Sequence, residues 1–576
     1  MKWPSENDSM ARAPFLMDDY SLISAGLKED IERLGQIAAR FREGGVSLDE
    51  FRRAHVPMGV YQQRREGAYM LRIRLPAGIL TSAQMVAIAD ATERFGSGAV
   101  HVTTRQDIQI HNVAVENIAP ALAMLLDGGL GTKGGCGDTV RNVTACWLCG
   151  VCPKEQFDVG PHCLNLATAL LGDGESFQLP RKFKIAFSGC CEDCAGGCVN
   201  DVGLIACARD GVEGFRVYAG GGMGARSRVS ELLEDFVPAA EIYRVVRAIR
   251  SVFNRYGNRE NRAQARLRFL MDKIGFQEFA ALYRSALAEA DGSAPPLGFA
   301  PAKNFDEPVA AADSCAANPP GFDEWFEFST QTQKQAGFRI VHIGLRLGDI
   351  SARSLRSLAG VISAFPTVEA RTTQWQNLIL QWVPEVRLRE IYLALDAIGL
   401  ATKAPPWVRD MVCCTGASTC RMGLCVSRGL ANVLYSFLQN DSEKRVTFSN
   451  VSIGISGCPN ACGRHLICGI GLSGAVRTVE GMKVPHYRIY LGGRRGEGMT
   501  TFAEPCGMVP ARQVPHVLSR FLSAFRVSEV FPDFEKFLAT GGREFMVTLC
   551  IEKQKLPSYA QEPIMYLDYE APDIRA

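Results

Sequence analysis

The chain contains 576 residues, of which 47% are hydrophobic and 22% charged, and its formal net charge is +2. This length exceeds one ordinary core, so we expect several domains, and the balanced charge gives no sign of a nucleic-acid or membrane partner. The first residues lack the apolar segment of a signal peptide, and no stretch is apolar for long enough to span a bilayer. The composition therefore predicts a cytoplasmic protein.

Two segments of the chain show the same order of predicted elements. In the first segment we predict helices at residues 27–41, 82–95 and 115–126 and strands at 70–75 and 101–111, with Ser82 as a helix cap. In the second segment, strands at 338–347 and 371–382 alternate with helices at 351–364 and 386–398. Residues 288–325 are rich in Ala and Pro and predict an irregular linker. This order indicates an internal duplication.

The cysteines give the duplication an exact offset. Each half contains a pair spaced C-x5-C, then 37 residues, then a pair spaced C-x3-C. Every position in the first half lies 268 residues before its counterpart: Cys146, Cys152, Cys190 and Cys194 precede Cys414, Cys420, Cys458 and Cys462. Arg141 and Arg409 keep the same offset, as do the Ser-Gly pairs at 188–189 and 456–457.

Four thiolates from two loops can hold a [4Fe–4S] cluster, because each iron takes one sulfur. A zinc knot and a group of buried free thiols are the alternatives, although the x5 spacing does not match the usual zinc arms. Twenty cysteines in a chain with no secretion signal favour metal ligation over disulfides. Cys194 and Cys198 are also spaced C-x3-C, so only the Ser-Gly alignment pairs Cys190 with Cys194.

Basic residues precede or lie within the cysteine loops. Phe183, Ile185 and Phe187 share one face of a predicted strand, and Lys182 and Lys184 share the other. The two lysines are either solvated or gathered around an anion, and with Arg105 and Arg141 they suggest a pocket for a small oxyanion. Gly221 and Gly222, and the similar Gly492-Gly493, follow strands and either offer N–H groups to an anion or form plain turns.

These residues resemble the sulfite/nitrite reductase hemoprotein family, which uses siroheme coupled to a [4Fe–4S] cluster. The resemblance spans residues 55–535 and depends on several motifs: Thr104-Arg105-Gln106, Arg141-Asn142, residues 179–184, Gly257-Asn258-Arg259, Gln376-Asn377, Cys414-x5-Cys420 and residues 457–464. It implies an α+β fold with two ferredoxin-like half-domains and two siroheme/[4Fe–4S] domains.

The resemblance also implies roles for individual residues. Cys462 bridges the cluster and the siroheme iron, and Arg105, Arg141, Lys182 and Lys184 bind the substrate. The expected siroheme contacts are Gln106, Gly221, Gly222, Asn258, Arg259, Gln376, Asn377, Arg464 and Arg494, and the arginines among them suit the siroheme carboxylates. Lys184 favours sulfite, because related nitrite-preferring enzymes tend to have Asn there.

The leading hypothesis is reduction of sulfite to sulfide, and the runner-up is reduction of nitrite to ammonia. A two-cluster electron carrier without substrate chemistry is the alternative from another class. The electron donor would be external, either ferredoxin-like or another reductase. The complete N-terminal cysteine set resembles the dissimilatory type and implies a second [4Fe–4S] cluster, with relict free thiols as the alternative.

If the halves are related by pseudo-symmetry, each site should combine the cysteines of one half with the cations of the other. These two predicted sites are not equivalent. The positions matching Arg105, Arg141, Lys182 and Lys184 hold Trp375, Arg409, Asn450 and Ser452, so only one catalytic siroheme is expected. The predicted divisions are an N-terminal arm (1–60), half-domain 1 (61–128), siroheme/Fe–S domain 1 (129–287), a linker (288–330), half-domain 2 (331–402) and siroheme/[4Fe–4S] domain 2 with a tail (403–576).

Overall fold

The computed structural model describes residues 20–290, 317–439, 448 and 451–570. The helices of the first half are α1 (Tyr20–Arg42), α2 (Leu48–His55), α3 (Ser82–Phe95), α4 (Ile118–Asp127), α5 (Gly160–Gly172), α6 (Ile242–Tyr256), α7 (Leu267–Ile274) and α8 (Phe276–Glu289). Its strands are β1 (Val60–Gln62), β2 (Tyr69–Ile73), β3 (Ile79–Leu80), β4 (Ala99–Val102), β5 (Ile108–Val113), β6 (Thr144–Ala145), β7 (Ile185–Ser188), β8 (Val202–Arg209), β9 (Val212–Ala219) and β10 (Glu231–Pro238).

The second half repeats this order. Its helices are α9 (Phe322–Ser329), α10 (Ala352–Ser363), α11 (Leu388–Ala397), α12 (Pro406–Arg409), α13 (Ser427–Gln439), α14 (Val514–Arg526), α15 (Phe534–Phe537) and α16 (Arg543–Lys553). Its strands are β11 (Thr330–Thr332), β12 (Phe338–Ile343), β13 (Asp349–Ser351), β14 (Glu369–Thr372), β15 (Leu378–Pro384), β16 (Val412–Cys413), β17 (Ile453–Ser456), β18 (Ile470–Val479), β19 (Met482–Leu491) and β20 (Glu504–Pro510).

The described strands form four five-stranded sheets. Two of them exchange a strand between the halves: one has the order β1-β2-β5-β4-β13 and the other the order β11-β12-β15-β14-β3. The remaining two have the orders β10-β9-β8-β7-β6 and β16-β17-β18-β19-β20. Strands β3 and β13 each complete a sheet of the other half, so the two ferredoxin-like half-domains share strands. The predicted residue boundaries of the half-domains stay a prediction.

Three large cores form against these sheets. Ile88 of α3 and Leu355 of α10 belong to a single core that joins both strand-exchanged sheets. Phe183, Ile185 and Phe187 are fully buried in the second core, as the alternation around β7 predicts. The third core surrounds β17, β18 and β19. Burial of these apolar faces is the main favourable term in folding.

The two predicted strands at 101–111 and 371–382 are wrong, because each is interrupted by a tight turn. The first is β4, a turn at 103–107, and β5, and the second is β14, a turn at 373–377, and β15. In the first turn, the Thr103 hydroxyl accepts from the backbone N–H groups of Arg105 and Asp107 at 3.2 and 3.1 Å. The side-chain hydroxyl therefore competes with strand continuation, and Arg105 lies in a turn, not on a strand face.

Other boundaries also differ from the predictions. The cap of α3 is Thr81, not Ser82, because Thr81 accepts from the N–H of Gln84 while the Gln84 side chain accepts from the N–H of Thr81. Residues 291–316 of the predicted linker lie outside the described residues, and helix α9 begins within its last part. Among the described residues, no helix is long and apolar enough to cross a membrane.

Two buried glutamines join the halves at the turns. Gln106 has a φ of 61°, and its amide donates to the carbonyls of Ala77 and Thr372 and accepts from the N–H of Ala145. Gln376, also at φ 61°, holds the equivalent position and accepts from the N–H of Cys413 at 2.7 Å. Both were predicted to contact siroheme, but protein groups occupy both amides, which supports a structural role instead.

We expect Gln106→Ala to lower the free energy of unfolding by about 2 kcal/mol or more, because it leaves buried backbone groups without partners. The midpoint of urea unfolding measures this loss. Gln277→Ala, at an exposed position of α8, is the matched control and should leave the midpoint unchanged. An equal effect of both substitutions would contradict the structural role.

Candidate active site

The C-terminal cysteines lie in two loops that follow the parallel strands β16 and β17. The N–H of Cys414 donates to the carbonyl of Ile455 at 3.0 Å, which fixes the first loop against the end of β17. The N–H of Gly457 donates to the Cys414 sulfur at 3.2 Å. Burial and then the neighbouring Cys462 and Cys420 thiols raise the pKa of Cys458. The loops therefore bring four soft donors together, which fits a [4Fe–4S] cluster.

The predicted cations lie close together beside Cys462. Arg105 donates to the Asn200 side chain at 2.9 Å and to the Asn142 carbonyl at 2.6 Å, while its buried Nε has no hydrogen-bond partner among the described residues. Arg141 donates to the carbonyls of residues 135 and 137 at 2.9 and 2.8 Å. Within the described chain, neither arginine forms an ion pair with a carboxylate.

Burial makes this cluster of positive charge unfavourable without an anion. It lowers the pKa of Lys182 to about 7, with Arg266 as the next cause. It also lowers the pKa of Lys184 well below its usual value, together with Arg105, Arg266 and Lys182. Cys462 opposes both shifts, so a negative charge at this position stabilises both ammonium groups. The pocket is therefore suited to a small anion.

The site combines both halves of the chain. Cys462 belongs to the second half, yet the Thr104 hydroxyl of the first half donates to its carbonyl at 3.1 Å. Arg64 of the first half donates to the carbonyl of Gly423 at 2.7 Å, beside the Cys420 loop. The cysteines of one half thus face the cations of the other, as the repeat predicts.

The Gly221–Gly222 loop borders a second group of arginines that the sequence analysis missed. A Cβ at Gly222 would come within 2.8 Å of the Arg268 Nη1, and one at Gly221 within 2.6 Å of the Asn200 carbonyl. Arg266 pairs with Asp201 at 2.7 Å. The buried Nε and Nη1 of Arg268 have no hydrogen-bond partner in the part of the chain described. These unpaired donors fit the carboxylates of siroheme.

Four of the predicted siroheme contacts lie elsewhere. Asn258 and Arg259 are exposed, and Arg259 donates to the Asn254 side chain at 2.6 Å. Arg494 forms an exposed ion pair with Glu535 at 2.8 Å. The Asn377 amide donates to Asp410 at 2.8 Å and accepts from the N–H of Leu345, so it is occupied by protein groups. These positions do not converge on the pocket around Cys462.

Arg464 follows Cys462 by two residues but points towards the N-terminal cysteines. Its guanidinium lies 5.6 Å from the Trp375 ring, and Arg495 lies 4.6 Å from the same ring. Arg495 also donates to the Cys194 carbonyl at 2.9 Å. Cys194 lies within hydrogen-bonding distance of Cys146, whereas Cys198 contacts Asp193 and Thr500. The fold thus brings Cys194, rather than Cys198, to the N-terminal set.

Clustered cysteines beside a buried basic pocket are typical of a redox protein that binds a small anion. Comparison with known families agrees with that class. Residues 136–290 and 406–529 match the family model described as "Nitrite and sulphite reductase 4Fe-4S domain". Residues 61–128 and 331–398 match the "Nitrite/Sulfite reductase ferredoxin-like half domain".

Individual relatives support the same assignment. The chain is 30% identical over 467 residues to a ferredoxin–nitrite reductase of Synechococcus elongatus, covering 79% of this chain and 86% of the relative. It is 27% identical over 500 residues to a sulfite reductase [ferredoxin] of Mycobacterium tuberculosis, covering 82% and 85%. The solved structure of the Mycobacterium tuberculosis NirA protein matches with a TM-score of 0.76 at 25% identity, covering 92% of this chain and 98% of that chain.

The chain therefore belongs to the nitrite and sulfite reductase family. It is an oxidoreductase that uses siroheme and a [4Fe–4S] cluster, and its α+β fold contains the duplicated ferredoxin-like and [4Fe–4S] units. These findings confirm the predicted family, the fold class, and siroheme and a [4Fe–4S] cluster as cofactors. The predicted second cluster stays a prediction. The roles of the individual site residues stay predictions.

We expect Cys462→Ser to disrupt the joined cluster and siroheme, because a hard hydroxyl replaces a soft thiolate donor. The iron content and the visible absorption of the purified protein measure the loss. Cys506→Ser, in β20 away from the site, is the control and should keep both. Unchanged iron and absorption in Cys462→Ser, with normal turnover, would refute the assignment.

We expect Arg268→Met to lower the siroheme content several-fold while cluster iron is retained, because it removes unpaired buried donors from the Gly222 loop. Siroheme extracted per chain is the measurement. Arg259→Met changes an exposed arginine that the sequence suggested for the same role, and it should leave the content unchanged. The opposite order of effects would favour the sequence-based assignment.

Proposed function

We propose that this protein reduces sulfite to sulfide, with reduction of nitrite to ammonia as the second candidate. The observation that carries the proposal is the group of four cations beside Cys462, none of which forms an ion pair with a carboxylate in the described part of the chain. Sulfite carries up to two negative charges and nitrite carries one. A pocket with this many desolvated cations favours the more highly charged anion.

The side chains of the pocket have separate tasks in this proposal. Arg105 and Arg141 are held by backbone carbonyls and by Asn200, so they present fixed positive charge without moving. Lys182, with a pKa of about 7, is the group best placed to give up a proton from Nζ near neutral pH. When bound, siroheme and the cluster would supply the electrons for reduction of the anion, and with protons its oxygens would leave as water.

The electron donor is proposed to be a separate, ferredoxin-like protein. Several relatives carry ferredoxin in their names, including the nitrite reductase of Synechococcus elongatus and the sulfite reductase of Mycobacterium tuberculosis. The alternative of a pure electron carrier is disfavoured, because a carrier has no use for a basic pocket beside its ligand set.

Nitrite is kept as a candidate because of the relatives. Besides the protein of Synechococcus elongatus, an assimilatory ferredoxin-dependent nitrite reductase of Haloferax mediterranei is 29% identical over 534 residues, covering 89% of this chain and 87% of the relative. The ratio of kcat/KM for sulfite to that for nitrite, measured with the pure holoenzyme and a chemical reductant, separates the two. A ratio above one supports the proposal, and a ratio below one replaces sulfite with nitrite.

We expect Lys184→Asn to lower kcat/KM for sulfite by about tenfold and to affect nitrite less, because the more highly charged anion depends more on the lost charge. Lys273→Asn changes an exposed lysine of α7 and serves as the control. Equal losses for both substrates would show that Lys184 does not discriminate between them.

A further inference from the structure

The N-terminal cysteines are held by the same backbone framework as the C-terminal set. The N–H of Cys146 donates to the Phe187 carbonyl at 2.9 Å, as that of Cys414 donates to Ile455 at 3.0 Å. The parallel pairing of β6 with β7 also has the same register as that of β16 with β17. The first cysteine of each set therefore leaves its sheet at an equivalent point.

The loop that contains Cys190 and Cys194 has the same turns as the loop that contains Cys458 and Cys462. The backbone N–H of Gly196 donates to the carbonyl of Asp193 at 2.9 Å. In the C-terminal loop, the N–H of Arg464 donates to the carbonyl of Ala461 at 3.1 Å. All four residues have positive φ, with values of 45° at Asp193, 73° at Gly196, 56° at Ala461 and 58° at Arg464. Three of these are not glycine, so the loop conformation is maintained against local strain.

The thiols of this set face one another in a dry environment. Cys146 lies within hydrogen-bonding distance of Cys194, and Cys152 of Cys190. Cys146, Cys152 and Cys190 are only 4%, 8% and 6% exposed. Apolar side chains of the second half, from β12 and β15, pack against them: Phe338, Ile340, Ile379 and Trp382. These apolar side chains would exclude water from a metal cluster and so help the protein to retain the cluster.

Arginines contribute positive charge at this site. Arg464 is 4% exposed, and neither it nor Arg495 forms an ion pair among the residues that the structure describes. Arg371 donates to the Cys149 sulfur at 2.5 Å beside the same set. A buried guanidinium without a counter-charge is unfavourable. Four thiolates around a cluster would supply the missing negative charge.

The face that holds substrate and siroheme in the first site is closed in the second. Trp375 takes the turn position of Arg105, since its N–H donates to Thr373 as that of Arg105 donates to Thr103, both at 3.2 Å. Its ring packs against Trp147 at 6.3 Å and lies close to both Arg464 and Arg495. The exposed Cys462 corresponds to the half-buried Cys194, which Trp375 helps to cover.

The remaining equivalent positions also lack a free cation. Arg409, which corresponds to Arg141, pairs with Asp410 at 2.9 Å. Ser452, which corresponds to Lys184, accepts from the N–H of Gly469 at 2.9 Å. Asn450, which corresponds to Lys182, lies outside the described residues.

We propose that Cys146, Cys152, Cys190 and Cys194 hold a second [4Fe–4S] cluster that has no siroheme beside it. The proposal goes beyond the reductase function and does not depend on which anion is reduced. The chain would then contain two clusters of the same ligand spacing, of which only the C-terminal one adjoins the substrate pocket.

Acid-labile sulfide and siroheme, both counted per chain in anaerobically purified full-length protein, test the proposal. Two clusters give about eight sulfides per chain and one cluster gives about four. Cys152→Ser and Cys190→Ser should each lower the sulfide count by about half and keep the siroheme. Cys207→Ser, a half-buried thiol of β8 outside the set, is the matched control and should keep the full count.

Electron paramagnetic resonance of the reduced protein gives a second measurement. The wild-type protein should show two cluster signals, and Cys152→Ser should retain the signal that Cys420→Ser loses. A wild-type count of about four sulfides, or a second siroheme per chain, overturns the proposal even if the variants fail to fold. The sulfide count is made without substrate and does not depend on turnover. A protein with two clusters but no turnover would refute the proposed reductase function and still support the second cluster.

Discussion

Positive charge that is buried without carboxylate partners is the constraint on which the rest of this protein depends. Burial lowers the pKa values of Lys182 and Lys184, and a negative charge on the Cys462 sulfur raises both. A buried ammonium group is unfavourable unless an anion binds beside it. The anionic cofactors and substrate of the family therefore complete the electrostatics of the fold. Cofactor binding to the folded state should in turn stabilise it.

The exchange of strands between the halves brings these charges to the correct cysteines. Strand β13 pairs with β4 and strand β3 pairs with β14, so each ferredoxin-like sheet is completed by the other half. The turns that follow β4 and β14 then extend from this shared structure, with Gln106 and Gln376 fixing both by buried hydrogen bonds. Each turn presents its tip to the cysteines of the opposite half. A single residue there, Arg105 or Trp375, distinguishes the two sites.

The arginines that we expect to bind the siroheme carboxylates could not be found from local patterns. Arg266 is the N-cap residue of α7, and Arg268 lies in its first turn. Two arginines at a helix start are common in sequences and indicate no function. Their proposed role depends on the Gly222 loop, which lies against them in the fold. The sequence instead indicated Arg259, a few residues earlier, which proves to be exposed. Proximity between a loop and a helix that are distant along the chain is decided by packing. Spacing alone carries no information about it.

The amino-acid sequence by itself determined the duplication, the family, the fold class and the four-cysteine sets, because ligand spacing and a constant offset of 268 are properties of the chain. It also predicted that cations and cysteines from opposite halves would meet. Only the tertiary structure decided that 101–111 is two strands around a turn, since the Thr103 hydroxyl bonds the turn in place of strand pairing. The tertiary structure likewise placed Arg464 beside Trp375 and the Gly196 turn of the N-terminal cysteine loop, because packing brings together segments that are distant along the chain.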